Sequence, residues 1–309
     1  MFDYTRLIKK SIKSHTLLTD FFGYGLVASG FADKYLAGLV TMYKSYRWLS
    51  KRYHVQREGT NKIVPQKADK EYVWICWLQG MGNAPEIVKY CYDSVQYWLK
   101  DKEIVVITAE NYSEYVELPD YVVDKWEKGV ITDTHFSDML RLELLIRYGG
   151  LWLDATTYIT GELPGYVLKS DFFVYRNGWM DMEMINMGSW FIFSRYTNNI
   201  LLVETRNLLY EYWSKMNYLK NYFLLHMFFR MVTDVYQEEW NKVPMFNQVE
   251  RHLLMNELAK EFDMGRCTEI LKISSVHKLT YKIQAEKGLE TTKYLGVLYK
   301  YGEEYYEDK

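Results

Sequence analysis

Between Ser137 and Ile146 the chain places apolar side chains at most positions: Met139, Leu140, Leu142, Leu144, Leu145 and Ile146. A helix this apolar is buried on most sides, so its few polar groups need partners or a task. Asp138 and Arg141 stand three apart, one turn along the same face. Ser137 reads as the N-cap, and Asp138 sets negative charge at the positive end of the helix dipole. Gly149-Gly150 then stops the helix, because glycine adopts the left-handed terminal conformation at little cost. The following LWLDAT alternates, with Leu151, Leu153 and Ala155 on one side and Trp152, Asp154 and Thr156 on the other. A helix with an acid and a base at its start thus leads into a strand that delivers Asp154 at its end. Ligands of open α/β sheets bind at such carboxyl ends.

The flanking pattern extends this picture. EYVWICWLQG predicts a first buried strand ending near Gln79, Asn83 and Pro85 predict the cap and first position of a helix running to about Lys100, and EIVVIT predicts a second strand. This strand-helix-strand opening is the start of a nucleotide-binding α/β sheet. It contains no G-x-G-x-x-G and no Walker loop. YVVDKWEKG is a short helical stretch, and DFFVYR and SWFIFS are two further strands. The G-x-S-x-G context of a hydrolase nucleophile is missing around Gly188-Ser189. From Asn198 the periodicity turns helical, with long helices over NNILLVETRNLLYEYWSK and NYLKNYFLLHMFFRMVTDVY and a third over about residues 248–261. His226, alone on an apolar helix, reads as a satisfied core residue. The expected organisation is a basic helical segment over residues 1–60, an α/β domain with helical insertions over 61–290, and a C-terminal segment with an acidic tail over 291–309.

Composition adds a few limits. With 49% hydrophobic and 25% charged residues the 309-residue chain is an ordinary globular one, and its net charge of −2 argues against nucleic acid as a partner. Three cysteines with no C-x-x-C suggest a reducing compartment and no zinc site. With no span-length apolar run and no signal-peptide layout, the expected location is cytoplasmic. Residues 1–60 carry ten basic residues against four acidic ones. Within them DKYLAGLVTMYKSYRWLSKRY is amphipathic. Two readings stand: this segment lies on an anionic membrane surface, or it packs on the catalytic core with its basic residues solvated. The aromatic and N-terminal surfaces could also support a homodimer.

The motif S-D-x-L-R-x-x-x-L-x-x-Y-G-G-x-x-x-D, with its strand W-x-D-A-T, resembles sugar-nucleotide glycosyltransferases of family 32 and their relatives. The nearest likeness is to bacterial capsular polysaccharide synthesis proteins, and the clostridial glucosylating toxins share the kernel more distantly. The resemblance runs roughly from Tyr72 to Tyr281. It implies a GT-A fold, here an α/β nucleotide-binding sheet flanked by helices, with a helical N-terminal extension and a helical C-terminal half.

The resemblance also implies a site. A D-x-D motif would hold Mn2+ or Mg2+ on the donor diphosphate, but here the triplet is Asp154-Ala155-Thr156, and Thr156 offers only a neutral hydroxyl. His277 is a candidate further metal ligand and Lys278 a candidate phosphate contact, although VHKLTYK reads equally as a plain loop. By the same likeness Asp138, Arg141 and Asp154 are the catalytic candidates. Trp77 would stack on uracil, with Gln79 near the base and ribose; Trp77 as a core residue is the other reading. Ser137, Trp152, Asn186 and Ser189 complete the donor-side candidates. The implied activity is retaining transfer of a hexose, galactose or glucose, from a UDP-sugar to a lipid-linked oligosaccharide in capsule or exopolysaccharide assembly. A toxin-like transferase acting on protein and a carbohydrate-binding protein that has lost catalysis are the alternatives.

Overall fold

The computed structural model describes residues 11–56, 64–177, 184–258, 260 and 263–282. The expected tail over 291–309, and the expected boundary at residues 60 and 61, lie outside these residues. Helices α1 (Leu17–Ala28) and α2 (Lys34–Ser50) form an N-terminal hairpin. There follow β1 (Tyr72–Cys76), α3 (Glu86–Trp98), β2 (Glu103–Ile107), α4 (Asp120–Glu127), α5 (Asp133–Tyr148), β3 (Gly150–Asp154) and β4 (Thr157–Ile159). Strands β5 (Phe172–Arg176) and β6 (Met187–Ser194) precede α6 (Ile200–Lys215), α7 (Leu224–Val235), α8 (Met264–Ile273) and β7 (Val276–Lys278).

The main sheet has the order β2-β1-β3-β6-β5. Strands β2, β1 and β3 run parallel, and β6 alone is reversed between β3 and β5. The alternation read from LWLDAT places Leu151 and Leu153 with Val73 and Ile75 on the face covered by Val95 and Leu99. Trp152 shares the opposite face with Trp74, Val174 and Ile192, under Met139, Leu140 and Leu144 of α5 and the apolar sides of α6 and α7. This is a mixed α/β architecture with a mostly parallel sheet between helices. A second pair, β4 with β7, is antiparallel and sets Thr157 opposite Lys278.

The glycine pair works as expected, with an added steric reason. Gly149 and Gly150 have φ of 68° and 93°. A Cβ on Gly150 would lie 2.5 Å from the Tyr72 carbonyl oxygen, so β1 and β3 pair this closely only with glycine there. Trp74 Nε1 donates to the Gly149 carbonyl at 2.9 Å and ties the turn to β1.

Several boundaries differ from the sequence expectations, among them the second long helix, which starts at Leu224 and not at Asn217. Helix α5 begins at Asp133, so Thr132 is its N-cap and Ser137 lies within the helix, donating to the Thr134 carbonyl at 2.8 Å. Tertiary contacts hold the extra turn: Phe136 stacks on Trp126 at 4.0 Å, and Asp133 accepts from Trp126 Nε1 at 2.9 Å. The acid of the first turn is therefore Asp133 and not Asp138. Strand β1 ends at Cys76, which leaves Trp77 and Gln79 in the loop beyond it; Pro85 is the N-cap of α3, and Asn83 donates back to the Gln79 carbonyl. The third long helix is instead a 3-10 turn, Val249–His252, and a short helix, Leu253–Glu257.

The N-terminal hairpin is joined by small and polar groups. Gly23 packs against Ala37, and Asp20 accepts from Thr16 and Thr41 hydroxyls at 2.6 and 2.7 Å. The far end of α2 and the residues after it enter the main core through Leu49 and Tyr53. No helix among the described residues is long and apolar enough to cross a membrane.

Candidate functional site

The parallel strands β1 and β3 end side by side, with Cys76 in register with Asp154. Helix α5 runs past these ends, and its second turn presents Asp138 and Arg141. Arg141 is 4% exposed and Asp138 6% exposed, so both guanidinium and carboxylate are nearly dehydrated. The guanidinium sits among oxygens. Its Nη1 donates to the Ser189 carbonyl at 2.7 Å, and its Nη2 is 3.2 Å from Asp138 Oδ1 and 3.5 Å from Asp154 Oδ1. Below it lies the Trp152 ring, 4.9 Å away, whose Nε1 donates to Asp154 Oδ1 at 3.1 Å. A buried charge of this kind persists only when its partners fill its hydrogen-bonding positions.

The remaining oxygen of Asp154 faces β7. Lys278 Nζ lies 3.0 Å from Asp154 Oδ2 and donates to Thr156 Oγ1 at 2.6 Å. The β4–β7 ladder fixes this lysine, and the Leu279 amide donates to the Thr156 carbonyl at 2.8 Å. Burial pushes the Asp154 carboxyl up, but the Lys278 ammonium and Arg141 guanidinium outweigh it and bring it down to about 2. Asp138 shows the same balance: burial raises it, Arg141 and the His135 hydrogen bond lower it, and the net shift is downward. Both are carboxylates at neutral pH.

Several groups around this core escape sequence reading. His135 Nδ1 is 3.2 Å from Asp138 Oδ2, and the Tyr222 ring stands edge-on to His135 at 5.6 Å. His135 precedes Asp138 by one helical turn, a spacing that could have marked it. The opposite holds for His226 and Tyr222, since nothing local links residues 222–226 to the strand ends. His226 is the clearest correction. It does not behave as a satisfied core histidine: its buried Nδ1 has no hydrogen-bond partner, and its charge state responds to Asp138, Arg141 and Asp154. Burial lowers its pKa to about 4 in spite of the nearby Asp138 carboxylate.

The other expected residues divide between the site and its supports. Gln79 donates to Asp133 Oδ2 at 2.8 Å on the rim. Trp77 is half-buried, edge-on to Tyr281 at 5.7 Å, and its buried Nε1 has no hydrogen-bond partner. Trp152 is 1% exposed, so it holds Asp154 and Arg141 from below and presents no face to a ligand. Ser189 meets Arg141 through its backbone carbonyl, and Ser137 Oγ accepts weakly from Arg141 at 3.4 Å. Asn186 donates to Thr233 at 2.7 Å, and its buried Oδ1 has no partner.

His277 is not brought to Asp154. It alternates with Lys278 on β7, is fully buried, and its Nε2 is 3.0 Å from Thr160 Oγ1. Consecutive strand residues point to opposite faces, so Lys278 reaches the carboxylate and His277 faces away. The expected set of Asp154, Thr156 and His277 therefore does not converge. No group of three or more His, Cys, Asp or Glu among the described residues could hold a metal ion. The oxygens of Asp154 and Thr156 that a divalent cation would need already accept from nitrogen donors. With the Lys278 ammonium and the Arg141 guanidinium already against its single carboxylate, the triplet does not fit Mn2+ or Mg2+, which bind through one or two free carboxylates with phosphate and water completing the shell.

Fold and site together define an α/β protein with buried, paired charges at the carboxyl ends of its parallel strands. The chain belongs to the capsular polysaccharide synthesis protein family, whose model matches residues 37–297. No curated protein matches it. Among solved structures it is similar to a PaToxG glycosyltransferase, at 14% identity over 84% of this chain and 96% of that one, with a TM-score of 0.37. A transferase mutant with two cysteine-to-serine changes is similar at 12% identity over 60% of this chain and 94% of that one, with a TM-score of 0.32.

Proposed function

We propose that the chain is a glycosyltransferase that moves a hexose, galactose or glucose, from a UDP-sugar onto a lipid-linked oligosaccharide during capsule assembly, with retention of configuration. One observation carries the reading: Asp138, Arg141, Asp154 and Lys278 meet at the ends of β1 and β3, two anions and two cations, the first pair buried and the second partly open to solvent. Glycosyl transfer needs this combination. Positive charge develops on the sugar ring and negative charge on the departing diphosphate, and fixed charges at both places lower the barrier. In this reading Asp138 accepts from sugar hydroxyls, Arg141 spans sugar and phosphate, and Trp77 with Gln79 receives the uridine. Front-face displacement suits the site. The bond from the anomeric carbon to the diphosphate oxygen breaks, the acceptor oxygen bonds to the same face, and its proton passes to the departing phosphate.

The N-terminal hairpin supports a membrane-borne acceptor. Leu18, Phe21 and Phe22 of α1 are 86%, 77% and 61% exposed, and Phe31 and Tyr35 continue the apolar surface. The hairpin's own packing uses Gly23, Ala37 and Asp20 and leaves these large side chains outward. An apolar helix face beside a basic excess binds anionic lipid surfaces.

Donor hydrolysis tests the reading. UDP release from UDP-glucose and UDP-galactose without acceptor is expected to be slow but measurable for one donor, and absent in Asp138→Asn. At 100 times its dissociation constant the same donor stabilises the protein by about 2.7 kcal/mol in thermal unfolding. Failure of both donors to be hydrolysed and to raise the melting temperature would remove the proposal.

A further inference from the structure

The motif that in relatives would grip a metal is here closed by a lysine. Between Asp154 and Thr156, where a cation would have to bind both side chains, Lys278 Nζ sits 3.0 Å from the carboxylate and 2.6 Å from the hydroxyl. The other carboxylate oxygen accepts from Trp152 Nε1 and faces Arg141 Nη2. A dication placed here would meet an ammonium and a guanidinium within a few ångströms, four positive charges in all, with Asp154 between them and Asp138 the further carboxylate beside Arg141. Coulomb repulsion at such separations costs several kcal/mol even at an effective dielectric constant of about 20.

The lysine is placed with unusual definition for so flexible a side chain. Its backbone is pinned in the β4–β7 ladder opposite Thr157, one residue beyond the triplet. Two of its three N–H groups are engaged by Asp154 and Thr156. No acceptor among the described residues takes the third, and the side chain keeps 18% of its surface open to solvent. This leaves one charged donor directed away from the motif, beside the strand ends where a diphosphate would lie.

Resting on the glycosyl-transfer reading, we propose that Lys278 replaces the divalent cation, so that the protein binds its nucleotide diphosphate and transfers sugar without a metal. Asp154 and Thr156 then hold a lysine ammonium in place of a metal ion. When the bond between the anomeric carbon and the diphosphate oxygen breaks, the electron pair leaves with that oxygen. Lys278 and Arg141 neutralise the charge, and the acceptor hydroxyl supplies the proton that ends on the released diphosphate. The balance needs no further reactant. The unfilled third N–H of Lys278 donates to a phosphate oxygen.

Calorimetric titration of UDP into chelator-treated protein, with and without millimolar Mn2+, tests the proposal. Wild type is expected to bind UDP equally in both conditions, within about twofold, and to hydrolyse the donor in EDTA. Lys278→Gln, which keeps a hydrogen-bonding side chain but no charge, is expected to lose on the order of 100-fold in turnover and to bind UDP more weakly. Lys278→Arg is expected to recover part of both, which a merely structural lysine would not require. Circular dichroism and melting temperature confirm that each variant is folded. Loss of UDP binding in EDTA with recovery by Mn2+ overturns the proposal while leaving glycosyl transfer intact, as does wild-type behaviour in Lys278→Gln. Absence of UDP binding by wild type in both conditions overturns the donor reading, and the proposal with it.

Discussion

Helix α5 carries two charged networks on roughly opposite sides, and they differ in what they leave unused. On one side Glu143 Oε1 accepts from Arg206 Nη1 at 3.1 Å and from Tyr210 Oη at 2.7 Å. One anion, one cation and a phenol complete one another. On the other side Asp138, Arg141, Asp154 and Lys278 also balance in charge, but polar groups remain over: the third N–H of Lys278, the Trp77 indole N–H and the Nδ1 of His226. A network built for stability closes on itself, because every unpaired buried group costs free energy. Unpaired groups around a dense charge cluster are the mark of a place awaiting a ligand.

The largest effect expected from breaking this contrast is on turnover. Asp154→Asn retains the Trp152 hydrogen bond and removes the charge that holds Lys278. Donor hydrolysis should fall on the order of 100-fold or more, with the protein still folded. Arg141→Lys should do the same, because a lysine cannot reach Ser189, Asp138 and Asp154 with one planar fork. If either variant keeps near-wild-type turnover, the site lies elsewhere.

Trp77 sharpens the comparison next. As a base platform it should contribute about 1–3 kcal/mol to nucleotide binding, the range of aromatic–base stacking. Trp77→Leu is then expected to weaken UDP binding roughly 10- to 100-fold while leaving the unfolding midpoint nearly unchanged. A lowered midpoint with unchanged UDP affinity would mean that the indole is packing.

Much of this was legible in the chain. The periods of two and 3.6 residues, the glycine stop and the alternation in LWLDAT predict β3, α5 and the two faces of the sheet. The strand end predicts where Asp154 stands, and Asp138 with Arg141 follows from one helical turn. Two kinds of information were not local. The start of α5 is set by Phe136 on Trp126, a contact with another helix, so the capping pattern at Ser137 misleads. His226 comes within electrostatic range of Asp138 only because α7 packs against α6 and β6, and its apolar neighbours in sequence conceal that. The register of β7 against β4 is equally remote from any motif, yet it decides that Lys278 and not His277 meets the carboxylate.

That register has a consequence for acid stability. Burial, assisted by the Arg251 charge, lowers the His277 pKa to about 3. An unfolded chain returns it to about 6.5. Above pH 6.5 both states are neutral and the stability is fully present. As pH falls toward 3 only the unfolded state takes up the proton, and stability drops by about 1.4 kcal/mol per pH unit. His226 contributes with the same sign until about pH 4. The low carboxylates Asp138 and Asp154 matter in stronger acid, and the shifted Glu257, Glu204 and Asp93 enter as pH approaches about 4.5, so denaturant unfolding between about pH 6.5 and 5.5 reads the histidines. His277→Asn, able to bond Thr160, should flatten the curve there by about one proton's slope, and an unchanged slope would place the ring in water.

The smallest effect belongs to the closed network. Glu143 and Arg206 side chains are 14% and 22% exposed, and neither touches the strand ends. Glu143→Gln keeps the volume and can still accept from Arg206 and Tyr210, but the bonds lose their charge assistance. The expected cost is about 1 kcal/mol, because a charged hydrogen bond exceeds a neutral one by roughly that amount. Donor hydrolysis should stay within about twofold of wild type. The same carboxylate-to-amide change at Asp154 should reverse the pattern, with little lost in the midpoint and most of the turnover gone. If Glu143→Gln instead lowers turnover as far as Asp154→Asn does, the two sides of α5 are one coupled unit. The distinction between a network that closes and one that waits for a ligand would then fail for this helix.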